Sequence, residues 1–238
     1  MREANNTVEK LREFGYVTSA CTVIHDHPMF ISFEGIDYSG KTTQATLLVE
    51  RLKKLHKDVV FLREPGGTSV SEKIRTILLD RDHIALTELT ELLLFSAARA
   101  QLVQEVIRPA LHAGKIVICD RFYDSTTAYQ GYGRNLDLES IQQLNAIATG
   151  GMKPDITLFV DVEIDEVVRR SNDRNGGADR MESSGCVFYE KVIQGYRAIA
   201  VTESYRFRSI DGMRSVEKIQ EDIWNIIQAH VLFDRRNV

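Results

Sequence analysis

The chain has 238 residues, 43% of them hydrophobic, enough for one large domain with an ordinary globular core. Thirty Lys and Arg against 34 Asp and Glu leave a formal net charge of −4, which argues against a protein that coats nucleic acid or a membrane surface. No apolar run reaches transmembrane length, and the widely spaced Cys21, Cys119 and Cys186 fit neither a zinc pattern nor a disulfide framework, so a reducing cytoplasmic setting is expected.

Residues 1–28 lack the apolar core of a signal peptide, and their glutamates argue against a transit peptide. Val8, Leu11 and Phe14 hint at no more than a short amphipathic helix. Met29 directly precedes the first strand pattern, so the expectation is a dispensable arm or a start at Met29, followed by one domain over 29–238.

The first strong element is the apolar run 29–33, a strand that enters Gly35-Ile36-Asp37-Tyr38-Ser39-Gly40-Lys41-Thr42. This string fits G-x-x-x-x-G-K-[ST], a loop whose backbone N–H groups wrap a phosphate chain, and residues 42–55 read as the helix leaving it. The two glycines let the backbone approach an anion, Lys41 reaches the β- and γ-phosphates, and the Thr42 hydroxyl suits Mg²⁺, with Thr43 following at the helix N-terminus. The predicted ligand is a nucleoside triphosphate.

Four further apolar runs, 58–62, 115–119, 156–160 and 205–210, read as strands. Between them lie helical patterns at 69–79, with Val70, Ile74, Ile77 and Leu78 on one face, and at 87–113, with Leu93, Ala97, Ala100, Val103, Val106 and Ile107 in step. Helices are also expected at 138–147, 164–174, 189–199 and 216–229. This alternation predicts an α/β fold of three layers, a five-stranded parallel sheet with helices on both faces, whose ligands gather beyond the carboxyl ends of the strands.

The charged motifs fall at those ends. Arg63-Glu64-Pro65-Gly66-Gly67 closes the second strand. Asp120-Arg121-Phe122 closes the third, where an acid serves as the second half of a phosphate-loop site for Mg²⁺ and an arginine forks onto phosphate oxygens. Phe95 and Arg99 stand four apart, on one helix face, where a ring and a guanidinium can hold a base. Arg169, Arg170, Arg174 and Arg180 surround a glycine-bearing loop at about 171–184 that reads either as a lid over phosphates or as a solvated charged loop.

Taken together, the strings at 33–44, 63–68, 92–101, 118–131, 154–162 and 178–183 resemble the thymidylate kinases, over about residues 29 to 230. The resemblance implies a P-loop kinase that phosphorylates dTMP to dTDP with MgATP, in dTTP synthesis, and a homodimer packed through long helices. By position, the resemblance implies that Phe95 stacks on thymine, that Arg99 bonds its carbonyl, and that Thr126, with Ser125 beside it, reads the remaining pyrimidine edge. Tyr129 sits against the sugar where a 2′-hydroxyl would be, Asp37 lies near the 3′-hydroxyl and the acceptor phosphate, and Arg63 and Arg121 hold that phosphate.

One position departs from the family. Some of its members carry arginine at the fourth place of the loop and others glycine with a lid arginine instead; here it is Tyr38. The transition-state cation is therefore expected from the lid, Arg174 first and Arg170 next. The alternatives are another pyrimidine nucleotide or deoxynucleoside kinase, and a non-catalytic P-loop switch.

Overall fold

The computed structural model describes residues 28–80, 86–172, 180–181 and 185–234. Strands β1 (Met29–Glu34), β2 (Val59–Arg63), β3 (Ile116–Asp120), β4 (Ile156–Asp161) and β5 (Phe207–Asp211) form one sheet in the order β2-β3-β1-β4-β5. Every pairing is parallel. The three middle strands are the near-continuous apolar runs, as expected of strands covered on both faces.

Side chains alternate between two helical layers. Ile31 and Phe33 of β1, with Ile118 and Leu158, pack against Leu48 and Leu52 of α1 (Lys41–Lys54) and Ile223 and Ile227 of the last helix, α9 (Val216–Asp234). Phe30 and Val117 face Leu102, Val103 and Ile107 on the opposite side. There α2 (Ser69–Leu79) and α3 (Glu88–Leu102) are followed by a π segment (Val103–Ile107) and α4 (Arg108–His112). The same layer holds α5 (Tyr123–Thr126) with its π segment (Thr127–Gly133), and α6 (Leu138–Thr149). Beyond β4 come α7 (Ile164–Asn172) and α8 (Cys186–Thr202), the latter packing Phe188, Val192 and Tyr196 against Phe159 and Tyr129. Each fully buried Leu or Ile in these layers contributes about 1.5–3 kcal/mol relative to exposure.

Among the described residues the expected strands and helices are present, residues 173–174 of the expected helix at 164–174 and the hinted helix at 8–14 lying outside them, and the caps explain several starts. Thr68 accepts from the Ser71 N–H, Thr87 from that of Thr90 and Asp137 from that of Ser140. Two patterns need correction. The stripe at 69–79 does not face the core as a whole: Leu78 is buried, but Val70 is 47% exposed and Ile77 is also outside. Likewise Leu93 on α3 is 47% exposed while Leu92 and Leu102 are buried. An apolar stripe records that a face avoids water; it does not say which surface covers it. The long helix is also not uniform. Pro109 lacks an N–H and crowds the carbonyl four residues back, and the preceding turn widens to a π segment.

Candidate active site

The register aligns the ends of β2, β3 and β1: Arg63 pairs with Asp120, and Phe33 with Asp120 from the other side. The loop after β1 therefore emerges beside Asp120 and Arg121, where the strand order reverses and ligands of open α/β sheets bind. At Gly35, with φ +146°, an added Cβ would lie 2.8 Å from Ser39 Oγ and 2.9 Å from the Val160 carbonyl oxygen, so the turn admits no side chain. Tyr38 itself is in the left-handed region at φ 62°, and Gly40 at φ 93° opens α1. The unpaired N–H groups of that helix start face the loop.

Lys41 is almost fully buried, donating to the Ile36 carbonyl at 3.3 Å with Asp37 Oδ1 3.7 Å away. Burial, with the Arg121 charge nearby, pulls its pKa below the ordinary lysine value. Thr42 Oγ1 donates to Asp120 Oδ2 at 2.5 Å, which brings two hard oxygen donors together at the loop. Tyr38, Gly40, Lys41, Thr42, Thr43 and Arg170 line an open cleft here. The Arg170 guanidinium lies on the loop itself, donating to the carbonyls of Tyr38 (3.2 Å), Ser39 (3.0 Å) and Gly212 (2.9 Å), with Glu166 at 2.7 Å on its Nε.

A second cleft, partly open to solvent, adjoins the loop on the Asp37 side. Its lining includes Asp37, Glu64, Phe95, Arg99, Arg121, Ser125, Thr126 and Tyr129, together with Arg75, Gln130 and Met181. Arg99 is only 2% exposed. Its Nε donates to Glu64 at 2.7 Å, and its Nη atoms donate to Thr126 Oγ1 at 2.9 Å and to the Phe122 carbonyl at 3.3 Å. Burial pushes the Glu64 carboxyl up, and the Arg99 charge works against that. Phe95, one turn earlier on α3, is half-buried at the cleft wall.

Arg121 stands between the two clefts with left-handed backbone, φ 73°. Nη2 donates to Asp37 Oδ1 at 2.6 Å and to the Tyr129 hydroxyl at 2.9 Å, and Nη1 to Ser125 Oγ at 3.2 Å and Tyr196 at 3.4 Å. Burial opposes the charge on Asp37, but Arg121 and Lys41 outweigh it and hold the carboxyl well below the usual range.

The structure thus brings together all the expected loop and cleft residues except two. Arg63 does not line the cleft: its side chain is 53% exposed and pairs with Glu72 at 3.3 Å, which also accepts from the Gly67 N–H. Arg174 and most of the expected lid lie outside the described residues. Of the other basic residues there, Arg169 pairs with Glu166 at 2.7 Å, and Arg180 is tied to Glu91 at 2.6 Å and to the Leu78 carbonyl at 2.8 Å, away from the loop.

Several residues with no role read from the sequence also take part. Glu34, at the end of β1, accepts from the Phe122 N–H (2.7 Å), Ser125 Oγ (2.6 Å) and the Tyr196 hydroxyl (2.9 Å). Burial, and then the Asp124 charge, raise its pKa to about 7. Glu91 gathers Gln130, Arg134 and Arg180 behind the cleft. An acid ending an apolar strand was the readable signal for Glu34; Tyr196 and Glu91 sit in ordinary helical patterns.

Comparison with known proteins bears on the family of the chain. A family model described as thymidylate kinase matches residues 33–223. The thymidylate kinase of Chlorobium luteolum is 52% identical over 199 residues, covering 80% of this chain and 92% of that protein. That of Kosmotoga olearia is 50% identical over 195 residues, covering 82% and 93%. A crystal structure of thymidylate kinase from Ehrlichia chaffeensis superposes with a TM-score of 0.69 at 38% identity, covering 85% of this chain and 99% of that one. With the family match running through the loop, the cleft and Arg121, the chain belongs to the thymidylate kinase family.

Proposed function

We propose that the loop and the cleft are the donor and acceptor halves of one phosphoryl-transfer site over residues 29–238. As a member of its family the chain phosphorylates dTMP to dTDP with ATP as donor. The observation that carries the residue roles is Asp37, which lies in the donor loop, 3.7 Å from Lys41, yet lines the acceptor cleft and pairs with Arg121.

In this reading Lys41 and the N–H groups of Gly35 to Thr43 hold the donor phosphates. Thr42 and Asp120 would hold a magnesium ion, which is usually bound by one or two protein oxygens plus substrate phosphates, and its charge would offset the negative charge of the donor phosphates. Phe95 stacks on the pyrimidine, Arg99 and Thr126 read its edge, Ser125 and Tyr129 close the sugar side, and Arg121 presents the acceptor phosphate. Arg99 and Arg121 are preorganised by their partners, so little reorganisation is needed at the moment of transfer. Arg170, seated on the loop carbonyls, lines the donor cleft together with Lys41. The acceptor oxygen is already anionic, so no general base is required. The apolar outer faces of α2 and α3 support a homodimer, and the reading implies a cytoplasmic enzyme with no nucleic-acid partner.

An ADP-release assay across monophosphates tests the function. Turnover is expected with dTMP and not with AMP, GMP or unphosphorylated thymidine. Lys41→Ala should lower kcat by at least about 10²-fold, the scale of losing a buried charge contact to developing negative charge, with an unchanged circular dichroism spectrum. Preference for thymidine over dTMP would make the chain a nucleoside kinase instead.

A further inference from the structure

We infer that Tyr189 of α8 is a positioning residue for the reaction, acting through Asp37; the inference rests on the proposed role of Asp37 at the junction of the two clefts. Tyr189 is buried, and its hydroxyl lies 3.1 Å from Asp37 Oδ2 and 3.4 Å from the Met181 carbonyl. A phenol has one proton, and the nearer, charged acceptor takes it. Burial and the Asp37 charge push the phenol far above its ordinary pKa, so it stays a donor throughout the neutral range.

The torsion that turns a carboxylate is broad and nearly two-fold, so only distinct partners on the two oxygens fix its plane. Asp37 has them. Oδ1 faces cations, Arg121 at 2.6 Å and Lys41 at 3.7 Å. Oδ2 faces hydroxyls, Tyr189 at 3.1 Å and Tyr129 at 3.3 Å. Tyr129 is already shared, because it accepts from Arg121 at 2.9 Å while donating to Asp37. Arg121 donates to Asp37, Tyr129, Ser125 and Tyr196, whereas Tyr189 reaches Oδ2 from a different helix. Removing it leaves Oδ2 to Tyr129, which is itself bonded to Arg121, so the carboxylate and the guanidinium turn together more easily and the acceptor oxygen is presented less accurately.

Tyr189→Phe deletes the hydroxyl and keeps the ring packed on Phe188 and Tyr129. The expected result is kcat reduced about tenfold, with KM for dTMP and ATP within about twofold and the thermal midpoint within about 2 °C of the parent chain. In an Asp37→Asn background the same substitution should change kcat by less than about twofold, because the two residues act as one unit. An unchanged kcat, a lowered midpoint with unchanged kcat, a purely raised KM, or full additivity with Asp37→Asn would each overturn the inference. Failure of the underlying reading is separately visible: the parent chain would then not release ADP with dTMP at all.

Discussion

Glu34 ends the central strand with its carboxylate turned inward, onto the same Ser125 and Tyr196 hydroxyls that Arg121 touches. Ser32 Oγ, the Phe122 N–H, Asp124 and Arg121 are its other neighbours. A folded pKa raised from 4.5 to about 7 means that the folded chain binds this proton more tightly than the unfolded one. The associated stability is fully present below about pH 4.5 and is lost as pH rises through 7. At about 1.4 kcal/mol per pH unit the loss is about 3 kcal/mol. Asp37 behaves in the opposite sense, since its lowered pKa contributes stability that disappears only in acid, below the ordinary aspartate value. The two windows do not overlap. Urea unfolding of the parent chain and Glu34→Gln should therefore show the variant gaining on the parent by about 3 kcal/mol between pH 4.5 and 8. A stability difference that is flat with pH would mean that the four donors around Glu34 keep it ionised throughout.

At the scale of elements, α8 carries much of what holds the site. Tyr189 and Tyr196, seven residues apart and so on one face, reach Asp37 and Glu34, the two carboxylates that flank the start of the loop. The helix can come so close because of Gly195: a Cβ there would sit 2.8 Å from the Tyr132 ring in the π segment after α5. Gly195→Ala should push α8 off that segment, destabilise the fold by about 1–3 kcal/mol and lower kcat, since both tyrosines move with the helix. Thermal unfolding and steady-state kinetics check it; full activity with a lowered midpoint would separate packing from catalysis. The contrast with the motifs explains what the sequence made legible. The loop at 35–42, the turn after Arg63 and Asp120-Arg121 are contiguous strings at strand ends, so their chemistry and their place in the fold are read together. Tyr189 and Tyr196 approach Asp37 and Glu34 across more than 150 residues and look like core aromatics of any helix. The π segments are too short for their period to stand out from 3.6. Arg63 reads as a cleft residue from its strand-end position, but Glu72, one turn into α2, holds it outside.

For the whole molecule, the order β2-β3-β1-β4-β5 puts loop, Asp120 and Arg121 at the carboxyl ends of the adjacent interior strands β1 and β3 and leaves α2 and α3 as an outer wall of the cleft. These two helices pack on each other, and each turns apolar residues outward, Val70 and Ile77 on α2, Leu89 and Leu93 on α3. Leu89 and Leu93 are one turn apart, whereas Leu93 and Phe95 are two residues apart and so about 200° around the helix. One side of α3 is therefore turned to the cleft and the other to solvent, where a second copy is proposed to cover it. A charge at Leu93 tests this without touching the cleft. Leu93→Glu should convert a dimer to a monomer in sedimentation velocity at micromolar concentration, because a buried unpaired carboxylate costs several kcal/mol at an apolar interface. Freed of its partner, α3 carries Phe95 and Arg99 less firmly, so KM for dTMP should rise several-fold while KM for ATP, set by the loop on the far side of Arg121, stays within about twofold. A parent chain that sediments as a monomer at that concentration would remove the dimer and with it the reason for those outward leucines.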